Sequence, residues 1–215
     1  MNVSELLKRD GIAEIACDGC KDSDLLEIAT SLGRVVPGAR NEQVQYLPAR
    51  DKGNGPVGSF SYTVGYGSFP WHTDTAYWDT PARYLLLASE EESPCATLYQ
   101  GFDALRVMVP DFDYLMSRSV FLLDIPNQKR YVSPIFKCGS KTGYRLDFHI
   151  YRPANKEAET LMIDTLRELS SHYHRHVWTG QNAVIIDNWR MIHTREDANN
   201  DKNRVLKRIY INELD

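Results

Sequence analysis

A histidine and an aspartate stand two residues apart in the segment Trp71-His72-Thr73-Asp74. Because residues two apart on an extended strand point to the same face, His72 and Asp74 can reach one metal ion together. His193, far along the chain, is the natural third ligand of a two-histidine, one-carboxylate site. Such a facial triad leaves coordination positions open on a non-haem iron(II) ion. The sequence therefore predicts an iron site at His72, Asp74 and His193.

Two arginines follow the distal histidine at a spacing that suits a strand. Arg204 and Arg208 are four residues apart, so on a strand both side chains face the same side. Guanidinium groups bind carboxylates through two parallel hydrogen bonds. Two of them beside a metal ion predict a site for ligands that carry carboxylates.

These residues lie in motifs that resemble the taurine dioxygenase superfamily of iron(II)/2-oxoglutarate oxygenases. The motifs are W-H-T-D-T-A-Y at 71–77, C-A-T-L-Y at 95–99 and D-N-W-R-M-I-H at 187–193, with the trailing arginines. The resemblance implies a double-stranded β-helix, or jelly-roll, fold, and iron bound at the predicted triad. It also implies that Thr97 and Arg204 hold the far carboxylate of 2-oxoglutarate.

The resemblance implies roles for two further residues. Arg208 matches the arginine that meets the anionic end of the substrate in taurine dioxygenase, and it is a candidate for binding the cosubstrate as well. Tyr77 matches an aromatic residue that lines the substrate pocket, while ordinary core packing is the alternative for this side chain. Both residues are therefore candidate substrate contacts.

The implied reaction consumes 2-oxoglutarate and O2, releases succinate and carbon dioxide, and hydroxylates an unactivated C–H bond. Desaturation and ring closure stay open, although the carboxylate of Asp74 favours hydroxylation, since family halogenases carry Gly or Ala there. We expect a small polar or anionic substrate, such as an amino-acid derivative or an intermediate of natural-product biosynthesis. A substrate tethered to a carrier protein is an alternative, because the chain lacks most of the covering segment that relatives carry between Thr97 and His193.

Two other functions could use the same triad. The first is a zinc hydrolase, and the second is a non-enzymatic jelly-roll protein that binds a ligand or senses iron. Thr97 and Arg204 argue against a hydrolase, which has no use for a 2-oxoglutarate clamp. The intact metal ligands argue against a protein that has lost its activity.

Composition limits the remaining classes. The 215 residues are 42% hydrophobic and 25% charged, which predicts one globular domain over 1–215. A net charge of -4 argues against nucleic-acid binding, and no apolar run suits a membrane span or a secretory signal. We expect a cytoplasmic protein with reduced thiols, with Cys95 and Cys138 buried and no zinc at Cys17 and Cys20. Whether it forms a homo-oligomer stays open.

Many short strands and few helices predict a mainly β fold, a barrel or double-sheet roll with helices packed outside. The predicted helices cover residues 4–8 with Ser4 as N-cap, 22–31, 102–108, 111–116 and 156–173. The predicted strands cover residues 11–16, 83–88, 96–99, 119–123, 131–136, 144–148, 183–186 and 204–211. The glycine-rich residues 51–69 are expected to form a loop with one short strand, and this loop is a candidate lid.

Other histidines have simpler interpretations. His172, His174 and His176 stand at the end of the longest predicted helix, where a solvated or C-capping role is favoured over metal binding. Arg145 and His149 lie on a predicted strand and are expected to point to solvent.

Overall fold

The computed structural model describes residues 2–38 and 41–213. The helices are α1 Val3–Asp10, α2 Asp22–Leu32, α3 Phe60–Val64, α4 Phe102–Met108, α5 Phe112–Arg118 and α6 Lys156–Leu169. The strands are β1 Ile12–Ala16, β2 Arg34–Val36, β3 Gln45–Pro48, β4 Tyr84–Ala88, β5 Glu92–Gly101, β6 Phe121–Ile125, β7 Gln128–Val132, β8 Ile135–Cys138, β9 Lys141–Tyr144, β10 Tyr151–Pro153, β11 His174–Thr179, β12 Asn182–Asp187, β13 Met191–Arg195 and β14 Val205–Asn212.

The strands form one large sheet and one small sheet that pack on each other. The large sheet has the order β1-β12-β4-β14-β2, with β3 also paired to β14, and the small sheet has the order β11-β5-β13. All of these pairs are antiparallel. Leu85 and Leu87 of the large sheet share a buried cluster with Trp178 and Met191 of the small sheet. The two sheets therefore enclose a common core, as in a jelly roll.

The other face of the large sheet is covered by helices. Alternation along β4 turns Leu86 away from Leu85, and Leu86 packs in a second cluster with Leu7 of α1 and Leu25 of α2. Because both faces are buried, the central strands read as continuous apolar runs, such as Ala183 to Ile186 in β12. A third cluster joins α4, α5 and α6 to β6 and β10.

The helix ends follow the chemistry of their flanking residues. Asn2, rather than the predicted Ser4, caps α1: its side chain accepts from Ser4 N at 3.1 Å, and Glu5 accepts from Asn2 N at 3.2 Å. Helix α2 ends at Gly33 as expected from the sequence. A Cβ at Gly33 would lie 2.1 Å from the backbone oxygen of Asn212, so only glycine allows this close contact with β14.

The glycine-rich residues 51–69 contain the helix α3 where the sequence predicted a strand. The side chain of Ser59 accepts a hydrogen bond from Tyr62 N at 3.2 Å and so caps this helix. Gly65 ends it at a φ of 62°, which residues with a side chain rarely adopt. These two end signals outweigh the strand preference of the aromatic and β-branched residues between them.

Helix α6 ends at Leu169, before the position predicted from the sequence. His172 lies just beyond it, with Nδ1 3.2 Å from the backbone oxygen of Glu168. His174 and His176 belong instead to strand β11. His176 is buried and its Nδ1 lies 2.9 Å from a carboxylate oxygen of Glu14, so the solvated role predicted for it is wrong.

The environments of Arg145 and of several cysteines also differ from expectation. Arg145 is buried, and its guanidinium donates to the backbone oxygens of Ser133 and Trp78 at 3.0 Å and 2.9 Å. It follows β9 rather than lying on an exposed strand, because only residue 144 of the predicted strand over 144–148 is in β9. Cys17 and Cys20 form a disulfide, and Cys138 is exposed whereas Cys95 is buried. Within the described residues, no helix is long and apolar enough to cross a bilayer.

Candidate metal centre

His72 and His193 are paired backbone to backbone. Each donates its N–H to the carbonyl oxygen of the other at 2.9 Å, which forms an antiparallel bridge. His193 lies on β13 and stands opposite Tyr99 of β5, in the middle of the small sheet. The pairing of strand segments thus brings together two histidines that are 121 residues apart in the chain.

Asn188 fixes the backbone at Asp74. Its side-chain oxygen accepts from Asp74 N at 2.8 Å, and its side-chain nitrogen donates to the backbone oxygens of Asp74 and Ala82 at 2.9 Å each. Asn188 is fully buried, so these bonds are shielded from water. The sequence motif contained this residue, but its spacing gave no sign of the role.

The three predicted ligands converge on one point. His72 Nε2 lies 3.7 Å from one carboxylate oxygen of Asp74, and His193 Nε2 lies 4.0 Å from the other. The ligand atoms of the three residues all lie within 4.8 Å of one another, and all three residues are buried. The backbone oxygen of Pro70 is 2.9 Å from His72 Nδ1 and can only accept a hydrogen bond. His72 Nδ1 therefore carries the proton, and its Nε2 lone pair is free for a metal ion.

The charge states of the triad suit a metal ion. Burial, together with the nearby His72, lowers the pKa of His193 to about 3, so its imidazole is neutral at neutral pH. Burial favours the neutral form of Asp74, but the charge of Arg208 and the two histidines outweigh it and hold the pKa of Asp74 below its usual value. Neutral imidazole and charged carboxylate are the forms that bind metal, and this donor set fits iron(II).

Arg208 contacts the metal site through Asp74. One terminal nitrogen of its guanidinium lies 3.3 Å from each carboxylate oxygen of Asp74, and the other donates to Gln45 Oε1 at 2.8 Å. Gln45 stands directly opposite Arg208 in the pairing of β3 with β14. The sequence gave no signal for Gln45, because β3 is a short strand that ends at a proline.

A cavity of about 700 Å³ opens beside the triad. Its walls include all but one of the residues predicted for the site, namely His72, Asp74, Thr97, His193, Arg204 and Arg208. Thr97 lies on β5 opposite Arg195 of β13, and Arg204 precedes β14. The site therefore combines a triad from the small sheet and its neighbouring segment with cations from the large sheet.

Several nitrogen atoms around this cavity are buried without a hydrogen-bond partner among the described residues. They are the Nε and one terminal nitrogen of Arg204, the Nε of Arg208 and the side-chain nitrogen of Gln45. Burial lowers the pKa of Arg204, although the guanidinium stays charged at neutral pH. Buried donors without acceptors are costly, so this set of donors fits a ligand that carries carboxylates.

Tyr77 is the one predicted site residue that the structure does not place on the cavity wall. Its side chain is about two-fifths exposed, at 41%, and packs edge-on against Trp78 with ring centroids 6.3 Å apart. Within the part of the chain that the structure describes, the triad is also the only group of histidine, cysteine and acidic residues close enough to hold a metal ion.

Comparison with known proteins followed from this geometry. Residues 127–210 match the family model described as taurine catabolism dioxygenase TauD, TfdA family. No curated protein sequence matches the chain.

Several solved structures share the fold at low sequence identity. Asparagine oxygenase in complex with Fe(II), 2S,3S-3-hydroxyasparagine and succinate has a TM-score of 0.77 and 14% identity over 97% of this chain and 77% of that chain. The non-haem iron oxygenase OrfP with Fe and alpha-ketoglutaric acid has a TM-score of 0.74 and 18% identity over 97% and 77%. PvcB from Pseudomonas aeruginosa has a TM-score of 0.71 and 16% identity over 97% and 78%. These similarities confirm the predicted mainly β jelly-roll fold.

Proposed function

Because the chain carries a TauD, TfdA family domain, as its motifs indicated, we propose that it is an iron(II)- and 2-oxoglutarate-dependent oxygenase. The proposed reaction is hydroxylation of a C–H bond in a small amino acid or amino-acid derivative. The observation that carries the proposal is the meeting of His72, Asp74 and His193 with the unpartnered guanidinium of Arg204 in one cavity.

The residues of the cavity divide into two tasks. His72, Asp74 and His193 would hold the iron, and Thr97 with Arg204 would hold the far carboxylate of 2-oxoglutarate. Bound iron(II), together with 2-oxoglutarate and O2, supplies the oxidising chemistry and leaves succinate and carbon dioxide as products. Solved structural neighbours were crystallised with Fe and with alpha-ketoglutaric acid or succinate, which supports the same set of cofactors here.

The wall formed by β3 and β14 is the proposed place for the substrate. The unpartnered side-chain nitrogen of Gln45 and the guanidinium of Arg208 can bind the carboxylate of an amino acid. Glu42 also lines the cavity, and its Oε2 is a buried acceptor without a partner among the described residues, which suits an ammonium group. Among the neighbours, asparagine oxygenase holds a hydroxyasparagine and OrfP holds a hydroxy-L-Arg, so both bind amino-acid products.

The two alternative functions use less of this site. A zinc hydrolase would need the triad but would leave the buried donors of Arg204 unpartnered. A protein that only binds a ligand would bind metal and 2-oxoglutarate without consuming the latter.

Turnover measurements separate these functions. The purified protein with iron(II), 2-oxoglutarate and O2 is assayed for succinate against a panel of free amino acids, amino-acid derivatives and carrier-tethered amino acids. The proposal expects succinate formation to rise with a free amino acid or derivative, in step with a product heavier by one oxygen atom. Stimulation by carrier-tethered compounds alone would move the substrate class to carrier-bound intermediates. Metal and 2-oxoglutarate binding without succinate under any condition would favour the ligand-binding function.

A further inference from the structure

The glycine-rich residues 51–69, called here the roof segment, pass over the metal site. Phe60 at the start of α3 places its ring 4.3 Å from the ring of His72, between centroids, and 5.1 Å from the rings of His149 and Phe69. Phe60, Ser61 and Phe69 all line the cavity. The roof segment therefore covers a predicted metal ligand with an apolar side chain.

The roof segment has little hydrophobic burial of its own. Gly65 is its only buried residue, and α3 contains none. Val57 is exposed to 71%. A five-residue helix without a buried face is not stable by itself. Its position over His72 must therefore depend on contacts with the rest of the protein.

Arg195 of β13 supplies the densest of these contacts. One terminal guanidinium nitrogen donates to the backbone oxygens of Gly65 at 2.8 Å and Gly67 at 2.5 Å, and the guanidinium carbon lies 3.7 Å from the centroid of the Phe69 ring. The backbone adds a bond from Phe69 N to Arg195 O at 3.0 Å. Arg195 is buried, and burial lowers its pKa to about 10, so it is charged at neutral pH while it holds the end of the roof segment.

We propose that Arg195 is a positioning residue that fastens the roof segment to strand β13 and so keeps Phe60 over His72. Arg195 and His193 are two residues apart on this strand, so the roof and the metal ligand share one rigid support. Only a planar guanidinium can donate in its own plane to two carbonyl oxygens while it stacks on an aromatic ring. The contribution to excluding water from the iron rests on the proposed function; the fastening itself does not.

Hydrogen exchange of the metal-free protein tests the fastening. In Arg195→Met, amides in peptides covering residues 59–69 should exchange at least about tenfold faster, because charge-assisted hydrogen bonds to two carbonyls are lost. Peptides from β4, β12 and β14 should keep their wild-type exchange. Arg195→Lys, which keeps the charge but not the fork, should fall between the two.

Arg145→Met is the matched control. Arg145 is also buried, donates to the backbone oxygens of Ser133 and Trp78, and stacks on Phe136 at 5.5 Å, but it makes none of its recorded contacts with the roof segment. Its replacement should speed exchange around 78–79 and 133 and leave 59–69 unchanged. If Arg195→Met does not fold, Phe69→Ala removes the stacking partner from the other side and should open the same peptides.

The functional consequence has a separate readout. With iron(II), 2-oxoglutarate and O2 but no substrate, Arg195→Met should lose activity during turnover several times faster than wild type, because water and O2 reach the site more freely. Its anaerobic absorption band with iron(II) and 2-oxoglutarate should persist. Unchanged exchange over 59–69, or a rise spread equally over the whole barrel, would overturn the proposal. If the wild type itself formed no succinate, the proposed function would fail while the exchange result could still be read.

Discussion

Replacing Asn188 tests how the protein holds the carboxylate ligand in place. The buried side chain makes three hydrogen bonds, two to the backbone of Asp74 and one to the backbone of Ala82. In Asn188→Ala these three backbone groups lose their partners in a site closed to water. At about 1 kcal/mol for each net hydrogen bond, with an added cost for buried groups left unpaired, the loss is about 3–5 kcal/mol of unfolding free energy.

The metal affinity should fall as well. Groups that orient a metal ligand typically change the affinity by about 10–100-fold when they are removed. Urea denaturation of the metal-free protein gives the first quantity, and titration with Co(II), as an oxygen-stable probe for iron(II), gives the second. Asn188→Asp keeps the size and the acceptor but loses the two donated bonds, and should lie between Ala and wild type.

A control must match the loss of burial without touching Asp74. Thr165 is fully buried and its hydroxyl has no hydrogen-bond partner among the described residues, so Thr165→Ala serves. It should leave Co(II) affinity unchanged. Destabilisation below about 1 kcal/mol in Asn188→Ala, with wild-type Co(II) affinity, would refute the view that this residue positions the ligand.

Further substitutions test the cosubstrate clamp, the substrate wall and a buried acid. Arg204→Met should raise the KM for 2-oxoglutarate by about 100-fold in a succinate assay and leave Co(II) affinity unchanged, since a charged clamp is lost; an unchanged KM would remove Arg204 from the clamp. Gln45→Leu should weaken binding of the stimulating amino acid about tenfold, measured as its KM, because Arg208 loses its orienting partner; an equal effect on 2-oxoglutarate would contradict this assignment. Burial, only partly offset by Arg83, raises the pKa of Asp187 to about 6, so its stability contribution is complete below about pH 4 and is lost as the pH rises through 6. Urea denaturation of wild type and Asp187→Asn should show the difference in unfolding free energy shifting against wild type by up to about 3 kcal/mol between pH 4 and pH 7, and a constant difference would contradict the raised pKa.

The sequence was most informative where local periodicity and chemistry coincide. Strand alternation correctly brought His72 and Asp74 to one side, and the spacing of Arg204 and Arg208 put both on the cavity wall. The helix predicted over 102–108 has the bounds of α4. These features depend on neighbours a few residues away, which is the range that a single sequence records.

Features that depend on distant partners could not be predicted. Arg145 was expected in solvent because its strand pattern is polar, yet carbonyl oxygens from 78 and 133 satisfy it in the interior. Gln45 and Asn188 act through pairings with residues more than 100 positions away. The helix α3 was missed because its end signals, a serine cap and a left-handed glycine, are weaker in the sequence than its β-forming residues.

The most direct test of the central claim is an anaerobic titration of the protein with iron(II) and then 2-oxoglutarate, followed by visible absorption. The account predicts a weak metal-to-ligand charge-transfer band that requires both components and is lost in His72→Ala. Iron demonstrably bound at the triad without any such band would contradict the account, because Thr97 and Arg204 would then not form a 2-oxoglutarate site.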